Sequence, residues 1–568
     1  MKYLFTLLLI SSTYFTQAQD WPQWGISIEG EGAVDQSGWS VSTNAEGNIV
    51  AIGAVGNDDA GTNTGYVRIY ENIDGDWVQI GDDINGVGEE DRSGYSVSLN
   101  NEGNIVAIGA PLNDGGGGGS GHVRVFENID GAWEQVGADI EGESSGDFSG
   151  WSVSLNGDGT VLAIGATLND DGGENAGQVR VFEYITDTWV QKGGDIDGNS
   201  SGDLFGRGVS LSDDGNTVAA GAALSYGAGP LESGRARVFE FVDGEWEQIG
   251  SNLNGENFED WNGFSLSLSG DGSRVAVGAP QNDDAAPDAG YVRVYENIAG
   301  SWTLLGDKIL GEGMGDECGN SVSLNFDGSI VAVGAKYNSG AGTLAGHVRL
   351  YEFVDDEWVQ IGDDLEGQDE QDHFGQSVCL NSAGTVVAIG SDATGDGTSP
   401  GRTKIYKYCQ YLDVTITAET FCVGEEVTLT AVSETGGTVT WEGDIENGVP
   451  FIPALGVTDY SATSDSDGDC PYTTEIEIFD HPTVNANVDY DEICFGQSVV
   501  FTGSGASSYD WDMGVTNGVP FTPDETGTET YTVIGTDENS CVDTADIDVT
   551  VTEFDPIEIT YTTEDEIQ

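Results

Sequence analysis

Short runs in which apolar and polar residues alternate recur along the first two thirds of the chain. The run Tyr95–Leu99 has apolar side chains at every second position, which is the periodicity of a half-buried β-strand. The apolar run Ile105–Ala110 has the composition of a strand buried on both faces. A glycine-rich loop, 113–121, leads to a third strand that begins at His122, and a fourth strand carries Trp133. No segment shows helical periodicity, so the pattern predicts an all-β chain.

This four-stranded unit repeats seven times, at an almost constant spacing along the chain. One tryptophan recurs in each unit: Trp21, Trp77, Trp133, Trp189, Trp246, Trp302 and Trp358. One aspartate recurs in each unit, always three residues before a glycine: Asp35, Asp91, Asp147, Asp203, Asp260, Asp316 and Asp372. Four strands in a unit of this length are typical of a propeller blade. We therefore predict a seven-bladed β-propeller over residues 19–409.

The seventh unit supplies only three strands. The segment Trp21–Gly25 resembles the missing fourth strand and stands alone before the first complete unit. We therefore expect this N-terminal strand to complete the last blade and to close the ring, which would protect the sheet edges.

The pattern Asp-x-x-Gly-x-Ser-Val-Ser-Leu, followed by Asp-Gly and by Val-Ala-Ile-Gly-Ala, resembles the FG-GAP repeat of integrin α-chain propellers and their bacterial relatives. Asp203–Gly206 and Asp372–Gly375 also carry the Phe-Gly pair. The resemblance covers residues 20–409 and implies a propeller that binds ligand on one loop face. The calcium sites of that family do not carry over, because the turn before Val161 is short and lacks a closing carboxylate.

A different and longer repeat begins near residue 410 and occurs twice. Each copy alternates Val, Thr and Ile with polar residues, and each carries one central tryptophan, Trp441 or Trp511. The pattern predicts two β-sandwich modules of immunoglobulin or PKD type, at 410–481 and 482–553. Residues 554–568 are predicted to be the start of a further module or a tail.

Seven cysteines in an exported chain permit disulfides. The separation of Cys422 from Cys494 nearly equals that of Cys470 from Cys541, so each copy of the longer repeat carries the same two cysteine positions. The repeated spacing predicts one disulfide within each module, Cys422–Cys470 and Cys494–Cys541. The remaining cysteines have no evident partner in the sequence: Cys318, Cys379 and Cys409.

Residues 1–18 have the basic start, apolar run and small final residue of a secretory signal peptide. No later run is long enough to span a bilayer, so we expect a secreted or bacterial cell-surface protein without a transmembrane segment.

The 99 acidic residues against 17 basic ones exclude nucleic acid as a partner, because phosphates are bound by Lys and Arg. This charge suits solubility in salty water, and clustered carboxylates also make calcium a candidate ion. We expect no other cofactor, and a monomer.

Residues that recur in every unit are interpreted as architectural. The seven aspartates are expected to accept backbone N–H groups in a turn, and the seven tryptophans to pack between blades. One cation also recurs in each unit and is expected to pair with acidic residues: Arg68, Arg124, Arg180, Arg237, Arg293, Arg349 and Lys404. His122 and His347 stand where other units have Tyr66 and Tyr291, and both are interpreted as strand residues.

Function is expected where the units differ, above all in the loops between the second and third strands. The aspartates of these loops are candidate ligands for a glycan or a cation, although they could equally be turn formers: Asp58, Asp114, Asp170 and Asp283.

No catalytic motif is recognisable, and we assign no catalytic residue. We predict a non-enzymatic binding or adhesion protein for a glycan or surface protein, with the modules as spacer. The alternatives are a polysaccharide-active enzyme with accessory modules and a structural surface or matrix component.

Overall fold

The computed structural model describes residues 21–224, 233–392, 399–418, 421–433, 436–465, 469–470 and 472–553. The predicted signal peptide, 1–18, and the segment 554–568 lie outside these ranges. The described residues form strands, turns and loops, and none of them lies in a helix that could cross a bilayer. The chain divides into two compact units, Met1–Cys409 and Gln410–Gln568.

The first unit contains 34 strands within the described residues. In chain order they are β1 (Ile28–Glu29), β2 (Ser37–Thr43), β3 (Ile49–Ala54), β4 (Tyr66–Ile73), β5 (Asp76–Gln79), β6 (Ile84–Asn85), β7 (Ser96–Leu99), β8 (Ile105–Ala110), β9 (His122–Ile129), β10 (Ala132–Gln135), β11 (Ile140–Glu141), β12 (Ser149–Leu155), β13 (Val161–Ala166), β14 (Gln178–Ile185), β15 (Thr188–Gln191), β16 (Ile196–Asp197), β17 (Phe205–Leu211), β18 (Thr217–Ala222), β19 (Arg235–Val242), β20 (Glu245–Gln248), β21 (Leu253–Asn254), β22 (Leu266–Leu268), β23 (Arg274–Ala279), β24 (Tyr291–Ile298), β25 (Ser301–Leu304), β26 (Ile309–Leu310), β27 (Ser321–Leu324), β28 (Ile330–Ala335), β29 (His347–Val354), β30 (Glu357–Gln360), β31 (Leu365–Glu366), β32 (Ser377–Leu380), β33 (Val386–Ser391) and β34 (Arg402–Lys407).

These strands form seven antiparallel sheets that resemble propeller blades. In six of them four consecutive strands pair in chain order, and a two-residue strand pairs with the start of the third. Their orders are β2-β3-β4-β5 with β6 on β4, β7-β8-β9-β10 with β11 on β9, β12-β13-β14-β15 with β16 on β14, β17-β18-β19-β20 with β21 on β19, β22-β23-β24-β25 with β26 on β24, and β27-β28-β29-β30 with β31 on β29. The seventh sheet has the order β1-β34-β33-β32.

The N-terminal segment supplies the outer strand of this seventh sheet, but that strand is Ile28–Glu29 rather than the predicted Trp21–Gly25, which contributes a bridge between Gln23 and Tyr406. Ile28 of β1 pairs with Thr403 of β34, and the Trp24 N–H donates to the carbonyl of Ile405 at 2.7 Å. Trp21 is buried in the hydrophobic cluster of the same sheet. Residues from the two ends of the first unit therefore share one sheet.

Neighbouring sheets approach most closely at glycines. Gly109 lies on β8, and a Cβ added there would lie only 2.1 Å from the carbonyl oxygen of Gly150 in the next repeat. No side chain fits in this space. The small residues in the repeated Val-Ala-Ile-Gly-Ala segment therefore follow from the packing of one sheet on the next.

The same hydrogen bond links six of the seven successive pairs of sheets. A serine at the first strand of one sheet donates through Oγ to the carbonyl of the repeated glycine in the next, at 2.7 to 2.9 Å. The pairs are Ser40–Gly94, Ser96–Gly150, Ser152–Gly206, Ser265–Gly319, Ser321–Gly375 and Ser377–Gly38. The last pair returns to the first repeat. The fourth repeat has Gly208 in place of the serine.

The second unit contains 14 further strands within the described residues. They are β35 (Gln410–Tyr411), β36 (Asp413–Thr417), β37 (Thr428–Val432), β38 (Val439–Trp441), β39 (Gly456–Ser464), β40 (Asp469–Cys470), β41 (Tyr472–Ile478), β42 (Asn485–Val488), β43 (Glu492–Cys494), β44 (Val499–Ser504), β45 (Ser508–Trp511), β46 (Pro520–Phe521), β47 (Gly527–Thr536) and β48 (Val542–Thr552). Their sheets are β35-β40, β36-β37, β38-β39-β41, β42-β44-β46 and β43-β48-β47-β45.

Each of the two repeats in this unit has its own hydrophobic core, and each core contains the central tryptophan. The Trp441 Nε1–H donates to Asn447 Oδ1 at 3.1 Å, and the Trp511 Nε1–H donates to Asn517 Oδ1 at 3.2 Å. Each asparagine begins the repeated Asn-Gly-Val-Pro-Phe segment. That segment recurs because its asparagine holds the buried indole in place.

The predicted disulfide pairs Cys422–Cys470 and Cys494–Cys541 are wrong. The structure joins Cys422 to Cys541, across 119 residues and between the two repeats. Cys470 and Cys409 are also disulfide-bonded. The described cysteines that remain free are Cys318, Cys379 and Cys494.

The length of strand β48 explains why the predicted pairing fails. Cys494 is paired with Thr552 at the end of this strand, whereas Cys541 immediately precedes its first residue. An extended strand of 11 residues spans roughly 35 Å, far more than the ~7 Å between Cα atoms that a disulfide tolerates. Cys494 and Cys541 therefore lie at opposite ends of β48 and cannot form the disulfide that the equal spacing predicts.

Candidate ligand-binding site

The repeated aspartate fixes the loop that enters the first strand of each sheet. Each of the seven carboxylates is buried and accepts a backbone N–H from three or four residues earlier, at 2.7 to 3.2 Å. The donor–acceptor pairs are Gly32–Asp35, Gly88–Asp91, Ser144–Asp147, Ser200–Asp203, Asn257–Asp260, Gly313–Asp316 and Gln368–Asp372. These bonds give every repeat the same loop conformation.

The repeated tryptophan connects each sheet to the preceding repeat. Its Nε1–H donates to a backbone carbonyl 53 or 54 residues earlier, at 2.7 to 3.1 Å. The pairs are Trp77–Trp24, Trp133–Ile80, Trp189–Val136, Trp246–Lys192, Trp302–Ile249 and Trp358–Leu305. Trp21 packs instead against Tyr408, with ring centroids 5.3 Å apart.

The repeated cation forms an ion pair in some repeats and binds backbone in others. Four arginines pair with a glutamate that lies four residues before the loop aspartate: Arg68 with Glu31, Arg180 with Glu143, Arg293 with Glu256 and Arg349 with Glu312. Arg124 donates to the carbonyl of Asn85 at 2.7 Å, and Arg237 to that of Asp197 at 2.6 Å. The cation therefore also ties neighbouring strands together.

The aspartate, tryptophan and cation described above recur in the repeats, whereas the residue directly after the aspartate changes from repeat to repeat. In all seven repeats its backbone is left-handed, with φ between 54° and 58°. The residues are Gln36, Arg92, Phe148, Leu204, Trp261, Glu317 and His373. Residues other than glycine rarely adopt this conformation, and such strain clusters at functional sites.

The residue after the repeated glycine also varies among the repeats. The seven residues are Trp39, Tyr95, Trp151, Arg207, Phe264, Asn320 and Gln376. The first five, which we call the central arc, contact one another in sequence. Ring centroids are 5.4 Å apart for Trp39 and Tyr95, and 4.7 Å apart for Tyr95 and Trp151. The Arg207 guanidinium carbon lies 4.9 Å from the Trp151 centroid and 4.2 Å from that of Phe264.

A cavity of about 260 Å³ opens beside Arg207. Its walls include two pairs of nearly parallel aromatic rings, Phe148 with Trp151 and Trp261 with Phe264, with centroids 6.2 and 5.9 Å apart. The lining residues are Phe148, Trp151, Thr167, Leu168, Leu204, Arg207, Ala223, Leu224, Trp261 and Phe264. Every side chain among them except those of Thr167 and Arg207 is apolar or aromatic.

Arg207 has no acidic partner among the described residues, although acidic residues outnumber basic ones by 99 to 17 in the chain. Burial lowers the pKa of its guanidinium, and the neighbouring Tyr95 opposes that shift. An arginine stays charged in proteins because its pKa starts above 12. The cavity thus presents a partly buried positive charge between two aromatic rings.

The last three repeats place polar groups at equivalent positions. The Lys336 Nζ donates to Gln376 Oε1 at 3.2 Å, and the Gln281 Nε2 donates to Glu317 Oε1 at 2.7 Å. Burial raises the pKa of Glu317, which Lys336 opposes, and burial lowers the pKa of Lys336. We call Gln281, Glu317, Lys336 and Gln376 the polar sector.

The four loop aspartates named as ligand candidates are exposed and engaged within their own loops. Each carboxylate accepts the backbone N–H five residues later, at 2.7 to 2.9 Å. The pairs are Asn63–Asp58, Gly119–Asp114, Asn175–Asp170 and Asp288–Asp283. These bonds explain why aspartate recurs there, and a role in ligand binding stays a prediction.

In the part of the chain that the structure describes, three groups of side chains place metal-binding atoms within 4.8 Å of one another. Two contain a buried histidine, and the third, Glu143 with Asp171 and Asp195, consists of exposed carboxylates alone. None of these groups includes a residue that lines the cavity.

The cavity was missed in the sequence, although a signal for it exists. The position after the repeated glycine is occupied by Trp, Tyr, Trp, Arg, Phe, Asn and Gln within an otherwise regular strand. Comparison of the seven units at each position, rather than a search for recurring residues, would have identified it.

The FG-GAP repeat family matches residues 141–182, a segment that contains β12 and β13 and the first part of β14. No curated protein matches this sequence.

Several solved structures resemble the chain at low sequence identity. The periplasmic gluconolactonase PpgL of Pseudomonas aeruginosa is 16% identical, with a TM-score of 0.41, over 58% of this chain and 85% of that one. A putative 6-phosphogluconolactonase of Bacteroides uniformis is 10% identical, with a TM-score of 0.43, over 75% and 100%. Raptor of Chaetomium thermophilum is 12% identical, with a TM-score of 0.45, over 69% and 29%.

Proposed function

We propose that this chain is a secreted binding or adhesion protein that holds an acidic sugar residue in the cavity beside Arg207. The observation that carries the proposal is Arg207 itself, a cation between Trp151 and Phe264 that no carboxylate of the described residues neutralises. A partly buried charge raises the free energy of the folded protein unless an opposite charge lies beside it, and an anionic ligand would supply that charge.

The walls of the cavity suit the rest of a sugar. The flat, apolar C–H face of a sugar ring packs on aromatic rings, which the pairs Phe148–Trp151 and Trp261–Phe264 provide. A carboxylate or sulfate accepts two hydrogen bonds from a guanidinium, and the low dielectric of the cavity strengthens them. The net charge of −82 repels a long polyanion, so a single terminal acidic residue fits better than an extended acidic chain.

The architecture supports an extracellular role. Seven sheets in a ring and the FG-GAP match support a seven-bladed propeller, and the two cores of the second unit support immunoglobulin- or PKD-like modules that act as a spacer. Disulfides form in oxidising compartments, which agrees with export through the predicted signal peptide.

A glycan array tests this function with the mature chain, from residue 19 onwards. The array carries glycans that end in a uronic acid, a sialic acid or a sulfated sugar, each beside its neutral counterpart. We expect the wild type to bind acidic members and R207Q to bind them ~10- to 100-fold less, as for the loss of a hydrogen-bonded charge pair.

The matched control is R92Q, which removes another cation from the same set of loops but not from the cavity. It is expected to bind like the wild type. Equal binding by R207Q, or equal binding of acidic and neutral glycans, would refute the proposal. Binding of a surface protein through the same cavity would appear as R207Q-sensitive adhesion with no glycan signal.

A polysaccharide-cleaving enzyme is the second candidate, because burial raises the pKa of Glu317 as a general acid requires. The described lining of the cavity contains no carboxylate, however, so a sugar held there has no adjacent acid–base pair. We therefore favour binding. Release of reducing ends from an acidic polysaccharide by the wild type, and not by E317Q, would reverse this preference.

A further inference from the structure

Two buried histidines occupy the same place in the second and sixth repeats. His122 is the first residue of β9 and His347 the first residue of β29, and each is only 1% exposed. An aspartate faces each ring from the segment before the adjacent two-residue strand. Asp139 Oδ2 lies 3.7 Å from His122 Nδ1, and Asp364 Oδ2 lies 3.5 Å from His347 Nδ1.

A glutamine orients each aspartate in the same way. The Gln135 Nε2 donates to Asp139 Oδ1 at 2.6 Å, and the Gln360 Nε2 donates to Asp364 Oδ1 at 2.7 Å. One carboxylate oxygen is therefore held by the protein and the other is turned towards the histidine. Metal-ligating carboxylates are commonly held in this manner.

A glutamate completes each group. Glu141 joins His122 and Asp139, and Glu312 joins His347 and Asp364, with the ligand atoms of each group within 4.8 Å of one another. Glu312 also lies 3.5 Å from Arg349, which holds it near the histidine. We call these sets the His122 group and the His347 group.

Three of the four ring nitrogens of these histidines lack a hydrogen-bond partner in the described structure. Neither ring nitrogen of His347 makes a hydrogen bond, nor does Nε2 of His122. The gaps to Asp364 and Asp139 are too long for hydrogen bonds, which rarely exceed ~3.2 Å. They are close to the ~3.4 Å that separates two ligands on a tetrahedral ion with bonds of ~2.0 to 2.1 Å.

Other repeats have a different residue at this place: Tyr66 in the first repeat, Gln178 in the third, Arg235 in the fourth and Tyr291 in the fifth. The Gln178 Nε2 donates to Asp197 Oδ1 at 3.3 Å, and the Tyr291 hydroxyl donates to Asn262 Oδ1 at 3.3 Å. The fold therefore does not require histidine at this position. Two repeats have histidine there, and both surround it with the same aspartate and glutamine.

We propose that the His122 group and the His347 group are each a Zn²⁺ site, with water as the fourth ligand. Imidazole with carboxylates is a donor set typical of zinc, whereas calcium prefers oxygen ligands alone. Each ion would join the third strand of its sheet to the two-residue strand that precedes the next loop. The inference is independent of the proposed glycan site, because none of these residues lines the cavity.

Calorimetric titration of the metal-stripped mature chain with ZnCl2, in excess CaCl2, tests the proposal. Calcium occupies sites made of carboxylates alone and so leaves the histidine sites to zinc. We expect two Zn²⁺ per wild-type chain, one in H122Q or H347Q, and none in the double variant over the same range. Glutamine is the natural residue at this place in the third repeat, so these variants are expected to fold, which circular dichroism checks.

Two further readouts separate zinc binding from a loss of structure. Co²⁺ in place of Zn²⁺ is expected to give the visible absorption of a tetrahedral site in the wild type and not in the double variant. Q360L removes only the group that orients Asp364 and is expected to weaken one of the two sites about tenfold. The same zinc stoichiometry in the wild type and the double variant, or no zinc bound to the wild type, would overturn the proposal.

Discussion

Two kinds of residue stand side by side in the loop that enters each sheet, and they behave in opposite ways. The aspartate and the glycine are the same in all seven repeats, because each fills a position that the backbone dictates. Asp147 accepts the N–H of Ser144, and Gly150 lies where a Cβ would be 2.6 Å from the carbonyl oxygen of His122. The residues that follow them vary among the repeats, and most of them contribute to the central arc, the cavity wall or the polar sector.

The comparison shows where the seven repeats depart from symmetry. Seven copies of one loop give seven equivalent positions around a centre, and identical side chains there would give a symmetric channel. Aromatic residues and Arg207 instead occupy the first five positions of the ring, and amides occupy the last two. Packing therefore explains the constant residues of the loop, and the variable residues are the ones to which the proposed function assigns ligand binding.

The largest expected effect separates these two classes of position. G150A places a Cβ against a backbone oxygen at a φ of 88°, so we expect a loss of about 4 kcal/mol of unfolding free energy. The adjacent variant W151F changes a variable position and is expected to cost less than about 1.5 kcal/mol. Urea unfolding followed by circular dichroism measures both. Equal losses would remove the distinction between the constant and the variable residues.

A smaller effect is expected at Arg207, in the opposite direction. R207M replaces a cation that has no acidic partner among the described residues with an apolar chain of similar length, so we expect a gain of about 1 kcal/mol in unfolding free energy. R235M, which removes the partner of buried Asp203, is the matched control and is expected to destabilise. A loss of stability in R207M would show that Arg207 serves packing rather than ligand binding.

The smallest effect concerns a second constant element, the turn after the first strand in four repeats. Its aspartates are Asp158, Asp214, Asp271 and Asp327. Burial raises their pKa, but hydrogen bonds such as those from Asn156 and Thr160 to Asp158 outweigh it and leave the pKa lowered. The unfolded chain therefore binds protons more readily than the folded one. The stabilisation is complete above the ordinary aspartate pKa of 3.8 and is lost as the pH falls through the lowered values.

The quadruple Asp→Asn variant of these turns isolates that contribution from the general effect of the acidic surface. We expect the wild type to melt at a higher temperature at pH 7, and the difference to shrink as the pH falls below 3.8. A difference that does not change with pH would mean that the charge of these aspartates is irrelevant to the turn.

The repeats made much of the fold predictable, because a strict period exposes every residue that packing holds constant. That the N-terminal segment joins the seventh sheet was predictable for the same reason, but the strand forms at Ile28–Glu29, and the predicted Trp21–Gly25 contributes a bridge from Gln23 to Tyr406. The disulfides were not, because equal spacing cannot show that Cys494 and Cys541 lie at opposite ends of β48.

The cavity escaped prediction because its residues are neighbours only around the ring. Trp151, Arg207 and Phe264 are each separated by one full repeat along the chain, and the packing of successive sheets brings them into contact. Likewise, the sequence does not show that Arg207 lacks an acidic partner among the described residues, because that depends on which side chains surround it in the fold. The loop aspartates were predicted as candidate ligands instead, because a recurring acidic residue can be recognised from the sequence alone.

Hydrogen–deuterium exchange of the mature chain, with and without a trisaccharide that ends in glucuronic acid, tests the central claim most directly. If the cavity beside Arg207 holds the acidic sugar, slower exchange will appear in 148–151, 204–207 and 261–264. Protection confined to the loops of Asp58, Asp114, Asp170 and Asp283, or to residues 410–553, would contradict the assignment of the cavity and return the ligand site to those regions.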